Sequence, residues 1–207
     1  MSDIEFFTSP MSRGRIVHWM LEELGDPYET HWIEYGEQMK GAEYLAINPM
    51  GKVPAVRHQG HVITECPAIC AYLANSYPER GLFRKDGAAL ADFYRWLFFA
   101  AGPLELLVSV RGMNWEVPEE RRGTLGYGSE DVAFSAMERA LEGREYICGD
   151  QFTAADVYFG SHIMWGMQFD AVDKRESFIS YTARLAERPA YKESVKICEA
   201  KMAEQAQ

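Results

Sequence analysis

Basic charge, long apolar runs and cysteine are all scarce in this 207-residue chain. Against 31 Asp and Glu there are 21 Lys and Arg, and the deficit is shared: 6 against 11 in residues 1–80, and 15 against 20 beyond. Neither part offers the phosphate-neutralising surface that nucleic acid requires. No uninterrupted stretch approaches the roughly 18 apolar residues of a membrane span. The opening MSDIEFF carries acids where a secretory signal needs a basic segment. The expectation is a cytoplasmic protein with neither a membrane nor a nucleic-acid partner. The four cysteines, at positions 66, 70, 148 and 198, match no zinc spacing and are too scattered for a disulfide framework. Reduced, mostly buried thiols and no metal centre are expected; His58 and His61 flank a turn without further ligands around them.

What is present is ordinary globular material, 47% apolar and 25% charged. Ile4 to Phe7 is a short strand candidate. Ile16, Val17, Met20, Leu21 and Leu24 then recur at helical spacing, and Gly25 and Pro27 supply the stop. Tyr28 to Ile33, rich in aromatic and β-branched residues, is a second strand. A strand, helix and strand within about 30 residues imply a crossover with parallel strands. Gln59-Gly60 between Ala55–His58 and His61–Ile63 reads as a hairpin turn. A helix follows, with Ile69, Tyr72 and Leu73 on one face. Residues 1–79 thus form a mixed α/β domain of order β-α-β-(loop or helix)-β-β-α.

After a linker at 78–88 the strand signal nearly vanishes. Leu90, Phe93, Tyr94, Leu97, Phe98, Ala101 and Leu104 form a helical stripe that Gly102-Pro103 should kink or break. Further stripes run over 133–141, from Phe152 to Val157, and over 179–185. Residues 86–207 read as an all-helical domain, with a mobile loop at 112–130. Thr153 and Asp156 have capping-box spacing, and Phe152 and Val157 are placed for the hydrophobic staple, a structural role.

Three motifs fall in order on these elements: Asn48-Pro-Met-Gly-Lys-Val-Pro54 before the hairpin, Glu65-Cys-Pro-Ala-Ile69 after it, and Thr153-Ala-Ala-Asp156 in the helical part. With the ending Glu187-Arg188-Pro189-Ala190-Tyr191, this set resembles the cytosolic glutathione S-transferases over essentially the whole chain. The resemblance implies a thioredoxin-like domain that binds glutathione, followed by a helical domain that shapes a pocket for a small apolar electrophile. It also implies a homodimer and detoxification, with glutathione as co-substrate and no further cofactor.

The resemblance carries roles to particular residues. In the family the proline matching Pro54 follows a cis bond, which would turn the Val53 N–H and C=O toward the cysteinyl backbone of glutathione; a trans proline at a strand start is equally sound chemistry. Glu65 would pair with the α-amino group. Cys66 stands where the family has serine, facing the α-carboxylate with the helix start behind it, a weaker donor than a hydroxyl. As a thiol at a helix N-terminus it is also a candidate nucleophile. Lys52 would reach a carboxylate, with Gln38 or Lys40 assisting; Arg13, Arg15 and Lys52 together would attract a ligand of charge about −2.

No Tyr or Cys occurs in residues 1–27, so the chain is similar to the family's serine users, in which a hydroxyl holds glutathione's thiol as thiolate. Ser9 matches that position when Arg13-Gly14 is aligned with the family's similar pair; classes with a catalytic cysteine nearer the helix point to Ser12. Either serine can instead merely cap a turn or helix. For the electrophile the candidates are Tyr94, Phe98, Arg111, Trp115, Met164 and Trp165. A glutathione-dependent isomerase, dehalogenase or disulfide reductase, or a non-catalytic glutathione-binding module, are the rival readings.

Overall fold

The structure is a computed structural model that describes residues 3–206. It divides into two compact units, the residues up to Arg80 together with those from Glu187 on, and Gly81–Ala186.

In the first unit, strands β1 (Ile4–Thr8), β2 (Tyr28–Trp32), β3 (Ala55–His58) and β4 (His61–Thr64) form one mixed sheet in the order β2-β1-β3-β4. As the crossover requires, β1 and β2 are parallel, with Ile4 opposite Tyr28, while β3 runs antiparallel to both β1 and β4. The β3–β4 turn uses positive φ at both central residues, Gln59 (51°) and Gly60 (80°), the hairpin geometry that matches strand twist. Alternation decides the two faces of the sheet. Ile4, Phe6 and Val56 are buried, as are the stripes Ile16, Val17, Met20 and Leu21 of α1 (Gly14–Leu24) and Ile69 and Leu73 of α4 (Cys66–Ser76). Phe7 and Ala55 instead join Ile33, Met39 and Tyr44 in a smaller cluster with the short helices α2 (Glu37–Lys40) and α3 (Ala42–Leu45).

The final helix groups with the first unit. In the order of helices given below it is α10 (Pro189–Gln205), and it packs along α1 rather than with the helical unit. Its docking is chemical as well as apolar. Arg188 places its guanidinium fork on Glu23 at 2.6 and 2.7 Å, and Glu23 also accepts from the Trp19 indole at 2.8 Å. The Glu23 side chain is only 6% exposed, so this planar bidentate pair is worth more than a surface ion pair. Tyr191 meets Trp19 edge-on at 5.0 Å, and the Cys198 thiol lies 3.6 Å from His18 Nδ1.

The second unit is helical: α5 (Gly87–Phe99), α6 (Glu105–Gly112), α7 (Glu130–Leu141), α8 (Ala154–Gln168) and α9 (Glu176–Ala186). Gly102-Pro103 neither breaks the first helix nor leaves it regular. A π-helical turn, Ala100–Leu104, joins α5 to α6 and absorbs the proline's missing N–H. The joined Gly87–Gly112 segment is long and apolar enough, by length and composition, to cross a membrane, where no stretch was expected to approach that length. In the fold it supplies core, burying Phe93, Trp96, Leu97, Leu104 and Leu107, and it packs on α8. The loop at 112–130 contains a 3₁₀ turn, Glu119–Thr124.

The capping box at the start of α8 is formed: Asp156 accepts from Thr153 N–H at 2.8 Å. It does more than cap, because the same carboxylate accepts from Ile147 N–H (2.7 Å), the Tyr181 hydroxyl (2.8 Å) and Thr153 Oγ1 (3.1 Å), while fully buried. Burial pushes this carboxyl up from 3.8 to about 6, against the pull of those donors. The folded state therefore holds the proton more tightly than the unfolded chain does. Its contribution to stability is fully present below pH 3.8 and is lost as pH rises through about 6. Asp156→Asn, which turns an amide N–H₂ toward these donors, should destabilise the protein by about 1–3 kcal/mol at pH 4. The gap from wild type in urea unfolding should narrow as pH is raised past 6; a widening gap would contradict this assignment.

Candidate active site

In the turn between β1 and α1 the two serines make different hydrogen bonds. The Ser12 hydroxyl donates to the Ser9 carbonyl at 2.6 Å and accepts from Gly14 N–H at 2.9 Å. Its single proton is committed to the backbone, so Ser12 is the capping residue of this turn. Ser9 is 4% exposed, and among the described residues its own hydroxyl makes no hydrogen bond. Its Oγ is not one of the fully buried, unpartnered side-chain atoms among the described residues, so the hydroxyl is open to solvent or to a ligand. The turn is tight enough to require glycine at its end. A Cβ on Gly14 would fall 1.9 Å from Thr8 Oγ1 and 2.9 Å from Ser12 Oγ.

The loop before β3 is braced from inside the first unit. Asn48 is 3% exposed; its amide nitrogen donates to Lys52 C=O at 2.7 Å and its oxygen accepts from Met50 N–H at 3.1 Å. The Tyr44 hydroxyl donates to the same Lys52 carbonyl at 2.6 Å. Sequence reasoning quoted Asn48 within the motif but gave it no task; an Asn before Pro at a turn was the available signal. The Val53–Pro54 bond is cis. Among the described residues neither the N–H nor the C=O of Val53 has a hydrogen-bond partner. The Lys52 side chain is exposed and unpaired among the described residues, whereas Lys40 is spent on the carbonyls of Met50 (3.2 Å) and Gly51 (2.8 Å). Gln38 accepts from Glu34 N–H at 2.6 Å, which leaves its amide N–H groups as donors.

At the head of α4, Glu65 is exposed and sits at φ 66°, ψ 118°. For a non-glycine residue this conformation costs about 1–3 kcal/mol, the sort of strain that collects at ligand sites. No side chain caps α4, and Pro67 contributes no N–H to its first turn. Cys66 departs from expectation. It is 5% exposed, and its thiol donates to the Arg13 carbonyl at 3.5 Å, tying the start of α4 to the start of α1. The thiol proton is thus directed at backbone within the fold.

The proposed electrophile residues scatter within the helical unit. Trp115, 60% exposed, lines a cavity of about 600 Å³ with Val110, Val117 and Tyr127. Arg111 is not among its lining residues. Its guanidinium is held by Glu130 (3.1 Å) and Asp173 (2.9 Å) and lies over the Phe134 ring. Tyr94 and Phe98 stack on one another along the exposed side of α5, and Met164 and Trp165 are half-buried on α8; none of the four lines this cavity. Helical spacing grouped these residues, but it could not say which face of each helix the core would take.

Comparison with known proteins agrees with this geometry. The family model described as glutathione S-transferase, N-terminal domain matches residues 8–76, and that for the C-terminal domain matches residues 128–189, together more than half of the chain. The glutathione S-transferase hmp2 of Hypomyces subiculosus is 30% identical over 169 residues, covering 75% of this chain and 78% of that protein. The glutathione S-transferase GstA of Escherichia coli is 27% identical over 197 residues, 93% and 97% of the two chains. Among solved structures, a glutathione transferase from Methylococcus capsulatus superposes with a TM-score of 0.79 at 26% identity, covering 95% of this chain and 99% of that one. The β1–α1 turn, the braced loop before β3, the strained head of α4 and these matches converge: the chain belongs to the glutathione S-transferase family.

Proposed function

We propose that this protein is a glutathione transferase that activates the thiol of glutathione through Ser9. The observation that carries the assignment is the division of labour in the β1–α1 turn: the Ser12 proton is committed to the Ser9 carbonyl, while the Ser9 hydroxyl makes no bond among the described residues. In this reading the Val53 N–H and C=O pair with the cysteinyl backbone of the tripeptide, and Glu65 receives its α-amino group. Lys52 and Gln38 supply donors to its carboxylates. The Ser9 hydroxyl donates to the sulfur, favouring the anion and lowering the thiol pKa. The thiolate then forms a C–S bond at the electrophilic carbon of a small co-substrate, which either expels its leaving group with the bonding pair or, at an activated double bond, moves the π pair to the neighbouring atom that takes a proton from solvent; the cavity beside Trp115 is the pocket proposed for that compound. The same reading includes a homodimer working in cytoplasmic detoxification. It leaves Cys66 outside the chemistry, which removes the ground for a weakly binding, non-catalytic module.

Three measurements check the reading. Ser9→Ala should raise the pKa of bound glutathione's thiol, followed by thiolate absorbance, and lower kcat/KM by roughly 10²–10³-fold, as loss of a donor to a developing anion does. Ser12→Ala should leave that pKa in place and instead lower stability by about 1 kcal/mol in urea unfolding, as loss of a cap does. If the two variants exchange these phenotypes, the assignment of the serines is wrong. At the other end of the ligand, Glu65→Ala should weaken glutathione binding in calorimetry about tenfold or more, whereas Cys66→Ala should change it less than about twofold; a larger loss in Cys66→Ala would put the thiol back on the ligand.

A further inference from the structure

The cavity beside Trp115 is not the apolar pocket that the sequence suggests. Trp115, Tyr127, Val110 and Val117 give it aromatic and aliphatic surface, but Glu116, Arg122, Glu130 and Asp131 also line it. Their charges are not equivalent. Glu130 is partly compensated by Arg111 at 3.1 Å, which it shares with Asp173. Arg122, on the 3₁₀ turn Glu119–Thr124, is the one cation among the lining residues, and its guanidinium makes no ion pair or hydrogen bond among the described residues. It is nonetheless within electrostatic reach of the cavity: burial and Glu130 push the Tyr127 hydroxyl upward, and Arg122 opposes them.

These features constrain what fits. A planar five-donor fork and an exposed indole lining the same cavity suit an aromatic ring that carries an oxygen acceptor. The charge balance then chooses between acceptors. Glu116 and Asp131 stand against the single unpaired arginine, so an anion gains the fork but meets two carboxylates, whereas an uncharged carbonyl satisfies the fork without that repulsion. We infer that this cavity selects uncharged aromatic compounds bearing a carbonyl-type oxygen acceptor, with Trp115 as the stacking platform and Arg122 as the specificity-determining donor. The inference rests on the transferase reading, in which this cavity takes the electrophile, and it narrows the co-substrate class from small and apolar to aromatic carbonyl compounds.

The test is calorimetric titration of the full-length protein with three unreactive naphthalenes of similar size: acetylnaphthalene, ethylnaphthalene and naphthoate. Wild type should bind acetylnaphthalene roughly tenfold tighter than ethylnaphthalene, the worth of one charged hydrogen bond, and tighter than naphthoate. Arg122→Leu should abolish the preference for the ketone while ethylnaphthalene affinity stays within about twofold. Arg122→Lys, which keeps the charge but loses the fork and is the milder change to the fold, should lose most of the preference as well. Trp115→Leu should weaken all three ligands. Equal binding of the ketone and the hydrocarbon by wild type, tightest binding of naphthoate, or a preference that survives in Arg122→Leu would each overturn the inference. Glutathione binding, measured in the same preparations, is expected to be unchanged in Arg122→Leu. Its absence from wild type would sink the transferase reading while the ketone preference stood, so the two failures are distinguishable.

Discussion

One hydrogen bond, from the Ser12 hydroxyl to the Ser9 carbonyl at 2.6 Å, organises the candidate site. It consumes the proton that would make Ser12 a rival donor, and it fixes the backbone of the residue whose hydroxyl remains available. The turn is held from its other end by Gly14, whose N–H donates to Ser12 and whose missing Cβ leaves room for Thr8 and Ser12. The Cys66 thiol, by donating to Arg13, extends this frame from the start of α1 to the start of α4. The β1–α1 turn and the Glu65 strain point are thus held in one piece by contacts inside the first unit.

The same unit recruits the end of the chain for its own stability. The fork of Arg188 on Glu23, the edge-on pair of Tyr191 and Trp19, and Cys198 against His18 place α10 along the side of α1. The helix that carries the site's first turn is thereby clamped along its length. This also accounts for the motif Glu187-Arg188-Pro189-Ala190-Tyr191. Its arginine is an anchor, and its proline opens the helix at a position where no N–H is needed.

The sequence was most legible where local chemistry and fold agree. The parallel β1–β2 crossover, the Gln59-Gly60 hairpin and the Thr153–Asp156 box all follow from short-range patterns that the tertiary structure leaves intact. It was least legible where a contact joins distant residues. Nothing near Cys66 in sequence announces Arg13 as its acceptor, and nothing in the spacing of Arg111 announces Glu130 and Asp173. The packing of α10 on α1 was hidden for the same reason, since a helix shows its period but not its partner. Gly102-Pro103 marked the place where the regular α-helix is interrupted; the form of the interruption, a π turn that accommodates the proline, was not legible. For the serines, residue types and spacing reduced the choice to two, and spacing could not announce that Ser12 bonds to the Ser9 carbonyl.

A crystal structure with glutathione bound would test the central claim most directly, because it shows which hydroxyl meets the sulfur. The account predicts the sulfur within hydrogen-bonding distance of Ser9 Oγ, with the Ser12–Ser9 bond intact. A sulfur seated on Ser12 Oγ, with that bond broken, would contradict it.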